Sequence, residues 1–271
     1  MLRSKVHGLL RRVAAEVILP RFRGLHMHEI QEKTPGEIVT VVDREAERVL
    51  AQELPLLLSG SRVVGEEAAA ENPDVLKRLE HGTVWLVDPL DGTANFVAGS
   101  SRFAVMVALL RDGETLASWM LDPVQDVLAY AELGHGAYLG SERVRATLIS
   151  PQVEDLRGAI LTGYLPAELR DRLLGRATIL AEVLPGLRCA GLEYPAVALG
   201  AQHFSIFWRT LPWDHAPGAL FLSEAGGLVT RLNGSRYQPA GVESGLLLAH
   251  NYEIWRLVRE QLVMDVHGGE A

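Results

Sequence analysis

The tightest constraint on this chain is the run Trp85-Leu86-Val87-Asp88-Pro89-Leu90-Asp91-Gly92-Thr93-Ala94-Asn95-Phe96. Its apolar, β-branched beginning reads as a buried strand. Two carboxylates three residues apart close that strand, a proline lies between them, and Gly92-Thr93 opens what reads as a short helix. A fold holding this run delivers Asp88 and Asp91 to the mouth of a turn beside a helix N-terminus. Cations and a phosphate can meet at such a place.

The segments around it have two characters. Leu2, Val6, Leu9, Leu10, Val13 and Val17 form one helical stripe that Pro20 stops. In residues 1–25 six basic side chains stand against Glu16 alone, yet no apolar signal core follows, so the segment reads as an ordinary first helix. A second helix fits 43–58, after the capping pattern Thr40-Val41-Val42-Asp43. Strands fit 62–65, 83–87, 103–110, 115–121 and 126–132, punctuated by Asp112-Gly113 and Asp122-Pro123 as in an antiparallel meander. Beyond Ser150-Pro151, strands near 158–162, 187–189, 203–208 and 246–249 alternate with helices near 167–183, 194–200, 214–225 and 251–264. The expectation is an α+β half over 1–150, carrying most of the acidic candidates, and an α/β half over 151–271 that supplies Asp214.

Composition narrows the partners. The 271 residues are 48% hydrophobic, enough for a sizeable core, and carry a net charge of −8. An acidic chain lacks the electrostatic footprint of a nucleic-acid binder and suits an anionic membrane surface poorly. No run approaches the ~20 apolar residues of a membrane span. The one cysteine, Cys189, excludes an internal disulfide framework and an all-cysteine metal site. The cytoplasm is the expected compartment.

Four acidic residues sit at element ends: Glu66 after Val63-Val64-Gly65, Asp88, Asp91, and Asp214 in Trp213-Asp214-His215-Ala216-Pro217-Gly218. Singly, each has an ordinary explanation. Asp214 can cap its helix, Asp91-Gly92 can be a plain turn, Thr40 and Asp43 can be only a capping box, and Glu66 and Glu67 can be solvated. His26 and His28 read as loop residues, Cys189 as a small core residue, and His215 either as a helix-start residue or as an orienter of a ligand.

Together the pieces resemble one family. Gly65-Glu66-Glu67, Asp88-Pro89-Leu90-Asp91-Gly92-Thr93 with Asn95-Phe96, Trp213-Asp214 with Ala216 and Gly218, and Glu224-Ala225-Gly226-Gly227 are similar to the motifs of the inositol monophosphatase family. Lys33-Thr34, Val39-Thr40 with Asp43, and Gly134 with Gly136 resemble its remaining ones. The resemblance implies a layered αβαβα fold and a lithium-sensitive, Mg2+-dependent phosphomonoesterase using two or three ions on a small phosphorylated substrate. Glu66, Asp88 and the Leu90 carbonyl would hold one ion. Asp88, Asp91 and Asp214 would hold a second, with Glu66 reaching a third through water. Thr93, oriented by Asp43, would work with Glu66 on the attacking water, and the Gly92 and Thr93 amides would bind phosphate. Pro89 would fix the backbone between the aspartates and remove a competing amide. A homodimer is implied by analogy alone. The chemistry also follows from the residue types: gathered carboxylates repel one another, divalent cations relieve that repulsion, and all-oxygen ligands favour Mg2+.

The alcohol-recognising half departs from the family. Its acidic residue seven positions before the Asp of Trp-Asp falls here on Phe207, and Pro217 stands where alanine is commoner. Its Gly-Ser/Thr-Ala-Ala turn is placed at Gly191-Leu192-Glu193-Tyr194, and its Gly-x-x-Asp at Gly200-Ala201-Gln202-His203. Gly191 and Glu193 are therefore taken as substrate contacts, with Glu193 or Tyr194 supplying the missing polar group. Fructose bisphosphate, a 3'-nucleoside bisphosphate or histidinol phosphate stay open as substrates beside an inositol phosphate. The alternative of another class is a metal-sensitive binding or regulatory protein.

Overall fold

The apolar stripe of the first residues buries as expected. In the computed structural model, which describes residues 2–34 and 36–264, α1 (Leu2–Val13) runs into a wider helical turn over Ala14–Ile18. A tight turn at Leu19–Arg21 carries Pro20 and ends the helix. A hairpin absent from the expectation follows, β1 (Ile30–Thr34) against β2 (Glu37–Thr40), and leads into α2 (Val41–Leu57).

The main sheet is a continuous meander. It contains β3 (Arg62–Gly65), β4 (Thr83–Asp91), β5 (Ala104–Arg111), β6 (Glu114–Asp122), β7 (Val127–Glu132), β8 (Gly136–Leu139) and β9 (Glu142–Val144), in that spatial order. Only β3 and β4 run parallel, and the helix α3 (Glu66–Glu71) lies in the connection between them. The short helix α4 (Thr93–Val97) joins β4 to β5. Side chains alternate across this sheet as the strand period requires. Trp85, Val87, Val105 and Val107 meet α1 and α2 on one face. Val84, Leu86, Ala104, Met106 and Ala108 meet the opposite layer. Burial on both faces explains why 84–87 and 104–110 read as unbroken apolar runs rather than as alternating ones.

The second sheet combines β10 (Arg157–Ile160), β11 (Glu182–Leu184), β12 (Phe204–Phe207), β13 (Leu228–Arg231) and β14 (Leu246–Ala249) in the order β11-β10-β12-β14-β13. Between the two sheets lie α6 (Ala190–Ala198) and α7 (Pro212–Glu224), in one hydrophobic cluster with residues of both sheets. On the outer face of the second sheet, α5 (Ala167–Arg176) and α8 (Tyr252–Val258) cover Phe204, Ile206 and Leu247. The layers are helix, sheet, helix, sheet, helix. This is the αβαβα sandwich, and the two sheets divide at the stretch between Val144 and Arg157.

Two placements needed correction. The helix expected over 167–183 ends at Arg176, with one further turn at Ala177–Ile179, and the edge strand is 182–184 rather than 187–189. Arg188 has φ 56°, a left-handed backbone that cannot continue a strand. The short β8, β9, β11 and β13 bury few residues each, so periodicity does not single them out.

The α6–α7 crossing is close because Gly218 lies against the buried Tyr194 ring, which a Cβ would approach to 2.1 Å. Gly218→Ala is therefore expected to overpack the central layer at a cost of about 1–3 kcal/mol. Thermal unfolding checks it, and an unchanged Tm would contradict the packing account.

Candidate active site

The local chemistry of β4 turns both aspartates to one end of the sheet. Asp88 faces Met106 and Asp91 faces Ala104 across β5, so β4 carries one extra residue there, a bulge at Pro89-Leu90. Proline has no N–H to give the ladder, which suits it to such an interruption. The Leu90 N–H donates instead to Asp88 Oδ1 at 3.0 Å. Gly92 then takes φ 88°, and a Cβ would come within 2.8 Å of the Arg102 carbonyl. Glycine is thus required there twice, by conformation and by space.

Thr93 opens α4. Its hydroxyl lies 2.8 Å from Asp43 Oδ1 and 2.9 Å from the Leu90 carbonyl. Asp43 also closes the capping box of α2, where its Oδ2 accepts from the Thr40 N–H (2.8 Å) and hydroxyl (2.6 Å). Capping and positioning are the same arrangement: the box fixes one carboxylate oxygen and leaves the other for Thr93.

Glu66 begins α3, whose first turn is held from α2. Glu47 accepts from the Glu67 and Ala68 N–H groups at 2.8 and 2.9 Å, satisfying two orphan donors of the helix start. Gly65 makes room for it, since a Cβ there would stand 2.3 Å from the Glu47 carboxyl carbon. Lys33 of β1 donates to Glu66 at 3.1 Å and to Glu67 at 2.5 Å. Asp214 lies in the first turn of α7, two residues after Pro212, while Leu211 occupies the cap position. Asp214 is therefore not the helix cap.

These elements bring Glu66, Asp88, Asp91 and Asp214 together. Burial pushes Glu66 up to about 8, Asp214 to about 7 and Asp91 to about 6, and raises Asp88 well above the usual carboxylate range. Mutual repulsion adds at three of them: Glu66, Asp91 and Asp214 act on Asp88, Asp91 acts on Asp214, and Asp214 acts on Glu66. Lys33 opposes this at Glu66. The Gly191 N–H and the Cys189 S–H, 2.6 and 3.1 Å from Asp91 Oδ2, oppose it at Asp91. Asp43 is raised by burial to about 6. Hard oxygen donors short of positive charge match a divalent cation in kind. Among the described residues no three His, Cys, Asp or Glu side chains already form a closed cage. Lys33 sits on Glu66, and one oxygen of Asp91 is held from α6.

The alcohol side corrects the sequence expectation. Glu193 is 1% exposed. Its Oε2 accepts from Leu187 N–H at 2.7 Å, and its Oε1 from Gln202 at 2.5 Å and Ser205 at 2.8 Å. Every lone pair it has to offer is turned inward, so Glu193 ties the loop before α6 to β12 rather than facing a substrate. The Tyr194 hydroxyl meets His215 Nδ1 at 3.0 Å and is likewise buried. Gly191 lies inside α6 with its amide committed to Asp91. The left-handed residue of the turn lies three residues earlier, at Arg188, and Gly191 is instead the close approach of α6 to β5, where a Cβ would stand 2.7 Å from that of Ala104. His215 Nε2 faces the Arg209 carbonyl at 3.0 Å and must donate to it, and burial lowers the ring's pKa to about 3, which keeps it neutral. Its place is structural. His26 and His28 stack on one another, exposed and outside the cluster. Sequence reasoning missed Glu47, Tyr164 and Arg209. The first is an ordinary glutamate in a helix, and the others reach the site only through the second sheet.

The sequence profile of the inositol monophosphatase family matches residues 4–267. The chain is 32% identical to the inositol-1-monophosphatase of Bacillus subtilis over 244 residues, 87% of this chain and 88% of that one. It is also 32% identical to the fructose-1,6-bisphosphatase/inositol-1-monophosphatase of Thermotoga maritima, over 75% of each. The crystal structure of the extragenic suppressor protein suhB from Bartonella henselae superposes with a TM-score of 0.80 at 25% identity, covering 97% of this chain and all of that one. The chain belongs to the inositol monophosphatase family and is a phosphoric monoester hydrolase of that metal-dependent family. No helix among the described residues is long and apolar enough to cross a membrane.

Two outcomes follow. Glu193→Ala leaves the Leu187 amide, Gln202 and Ser205 without their acceptor and is expected to cost about 1–3 kcal/mol; an unchanged Tm would return Glu193 to the pocket. The raised carboxylates set a pH dependence for the protein in chelator. Folded pKa values above the unfolded ones give stability that is full below about pH 4 and lost as pH rises through about 6, 7 and 8. The gain in Tm on adding a divalent cation is expected to grow across that window, and a constant gain would contradict it.

Proposed function

We propose that this chain is a Mg2+-dependent phosphomonoesterase that hydrolyses a small phosphorylated alcohol or sugar with an activated water. The observation that carries this reading is the gathering of Glu66, Asp88, Asp91 and Asp214, with burial raising the pKa of all four and repulsion among them adding to it at Glu66, Asp88 and Asp214. Glu66, Asp88 and the Leu90 carbonyl would hold one ion; Asp88, Asp91 and Asp214 would hold a second; Glu66 would reach a third through water. Bound there, the ions supply positive charge to the phosphoryl oxygens and make a water more acidic.

The chain's own groups do the rest. Thr93 directs its hydroxyl proton to Asp43 Oδ1 and keeps a lone pair for the proton of the attacking water. Asp43, raised to about 6, is a stronger base than an ordinary carboxylate and is still ionised near neutral pH. Glu66 holds the same water from the other side, Lys33 gives Glu66 up to the cation, and the Gly92 and Thr93 amides hold a phosphoryl oxygen. On the alcohol side Phe207 packs against His215 at 4.8 Å, so an aromatic wall stands where an acidic group for sugar hydroxyls would be expected. This disfavours inositol monophosphate as the main substrate. We also infer a cytoplasmic homodimer without a nucleic-acid partner, the last from the net charge of −8.

Phosphate release from a panel of phosphomonoesters, with Mg2+ and with a chelator, tests this function. Metal-dependent turnover is expected, and Thr93→Val is expected to lower kcat by about 10²–10⁴ while Thr93→Ser restores part of it. No turnover of any compound would favour a metal-sensitive binding role.

A further inference from the structure

The approach to Asp214 is built by direct contacts among four segments. β10 and β12 run parallel, with Ile160 opposite Ile206, so both chains leave the second sheet at the same end. Tyr164 follows β10 in the turn Thr162–Tyr164, and Phe207 closes β12. The Phe207 ring lies 4.8 Å from that of His215, the neighbour of Asp214 in α7. His215 Nε2 meets the Arg209 carbonyl at 3.0 Å. The Arg209 guanidinium then reaches two ways: it stacks 4.1 Å over the Tyr164 ring and pairs with Glu37 of β2. Lys33, on β1 of the same hairpin, donates to Glu66. Glu37, Arg209 and Tyr164 therefore form a bar between the hairpin that meets Glu66 and the segment that leads into Asp214.

The polar groups along this chain of contacts are engaged with one another. His215 has the Arg209 carbonyl on Nε2 and the Tyr194 hydroxyl, at 3.0 Å, on Nδ1. Arg209 has Glu37, and Lys33 has Glu66 and Glu67. Glu193 is turned inward. Ring surface is what they leave to a ligand. Tyr164 is 50% exposed although Arg209 lies over its ring. Phe207 is half-buried at the edge of the apolar cluster between the sheets. A hydroxyl that leaves water against such surface finds no partner there and is penalised. An apolar ring gains from the same contact.

We propose that Tyr164, held by Arg209, and Phe207 are specificity-determining residues, and that the favoured substrate is a phosphomonoester of an apolar ring alcohol rather than of a polyol. The assignment rests on the phosphatase reading of Glu66, Asp88, Asp91 and Asp214. With the phosphoryl group at those carboxylates, the alcohol passes the start of α7 and packs against the two rings. The hydroxyls of a polyol stay unpaired in that position, which weakens transition-state binding of its ester.

Cyclohexyl phosphate against inositol 1-phosphate tests it, because the two share a six-membered ring and differ in its hydroxyls. Those hydroxyls make inositol the better leaving group, so intrinsic reactivity works against the expected preference. The ratio of kcat/KM for the two esters with Mg2+ is measured for the unaltered chain, Tyr164→Phe, Tyr164→Ala and Phe207→Gln, and each Tm reports folding. The unaltered chain is expected to favour cyclohexyl phosphate by about tenfold to a hundredfold. Tyr164→Phe keeps that ratio and Tyr164→Ala lowers it, which assigns the contact to the ring. Phe207→Gln, with a hydrogen-bonding group in the wall, brings the ratio toward one. Should Phe207→Gln not fold, the two Tyr164 variants decide. A ratio near or below one in the unaltered chain overturns the proposal, as does a ratio that Tyr164→Ala or folded Phe207→Gln leaves intact. A fall in Tyr164→Phe as large as in Tyr164→Ala assigns the hydroxyl instead of the ring and overturns it too. Phosphate release from other phosphomonoesters but from neither ring ester overturns the substrate assignment alone. No release from any phosphomonoester overturns the phosphatase reading with it.

Discussion

Carboxylates held together away from water are the constraint on which this structure depends. Each of Glu66, Asp88, Asp91 and Asp214 loses hydration, and Glu66, Asp88 and Asp214 lose further by facing the others. A fold can keep such a cluster only if rigid elements fix every member and cationic or N–H groups offset part of the cost. Lys33 on Glu66 and the α6 donors on Asp91 are those groups here. Part of the repulsion is left unrelieved, and a cation bound there would relieve it.

The helix α2 is the frame for the water-activating side. Asp43 in its first turn fixes Thr93, and Glu47 one turn later fixes the start of α3 and with it Glu66. One helix therefore sets the spacing between Thr93 and Glu66, the two groups proposed to address the same water. The bulge in β4 does the equivalent work for the metal side, because an unbroken ladder would turn Asp88 and Asp91 to opposite faces of the sheet. Catalytic precision here comes from hydrogen bonds that also satisfy helix ends and a strand interruption.

Much of this was legible in the order of residues. The Asp88–Thr93 run, Glu66 after its strand, the Thr40–Asp43 box and Asp214 in its first helical turn all depend on local rules, and the structure brings them to one place. The alcohol side was misread for a physical reason. Glu193 and Gly191 look like contacts when a glycine marks the turn, yet the chain makes its left-handed turn at Arg188 and folds Glu193 against Leu187, Gln202 and Ser205. A carboxylate that brackets a loop and one that faces a pocket are the same letter in a sequence.

By itself, then, the sequence determined the groups on which the proposed chemistry rests: carboxylates at strand and helix ends, a hydroxyl with its acceptor, and a glycine turn. Those groups are specified by spacing within single elements and their caps, which the backbone periods decide. Tertiary structure alone decided which donors hold Glu66 and Asp91 and which acidic side chain is spent inside. Those outcomes depend on how α6, β12 and the 187–189 turn pack against β4 and α4, across separations in the chain of about a hundred residues, where no local pattern constrains direction.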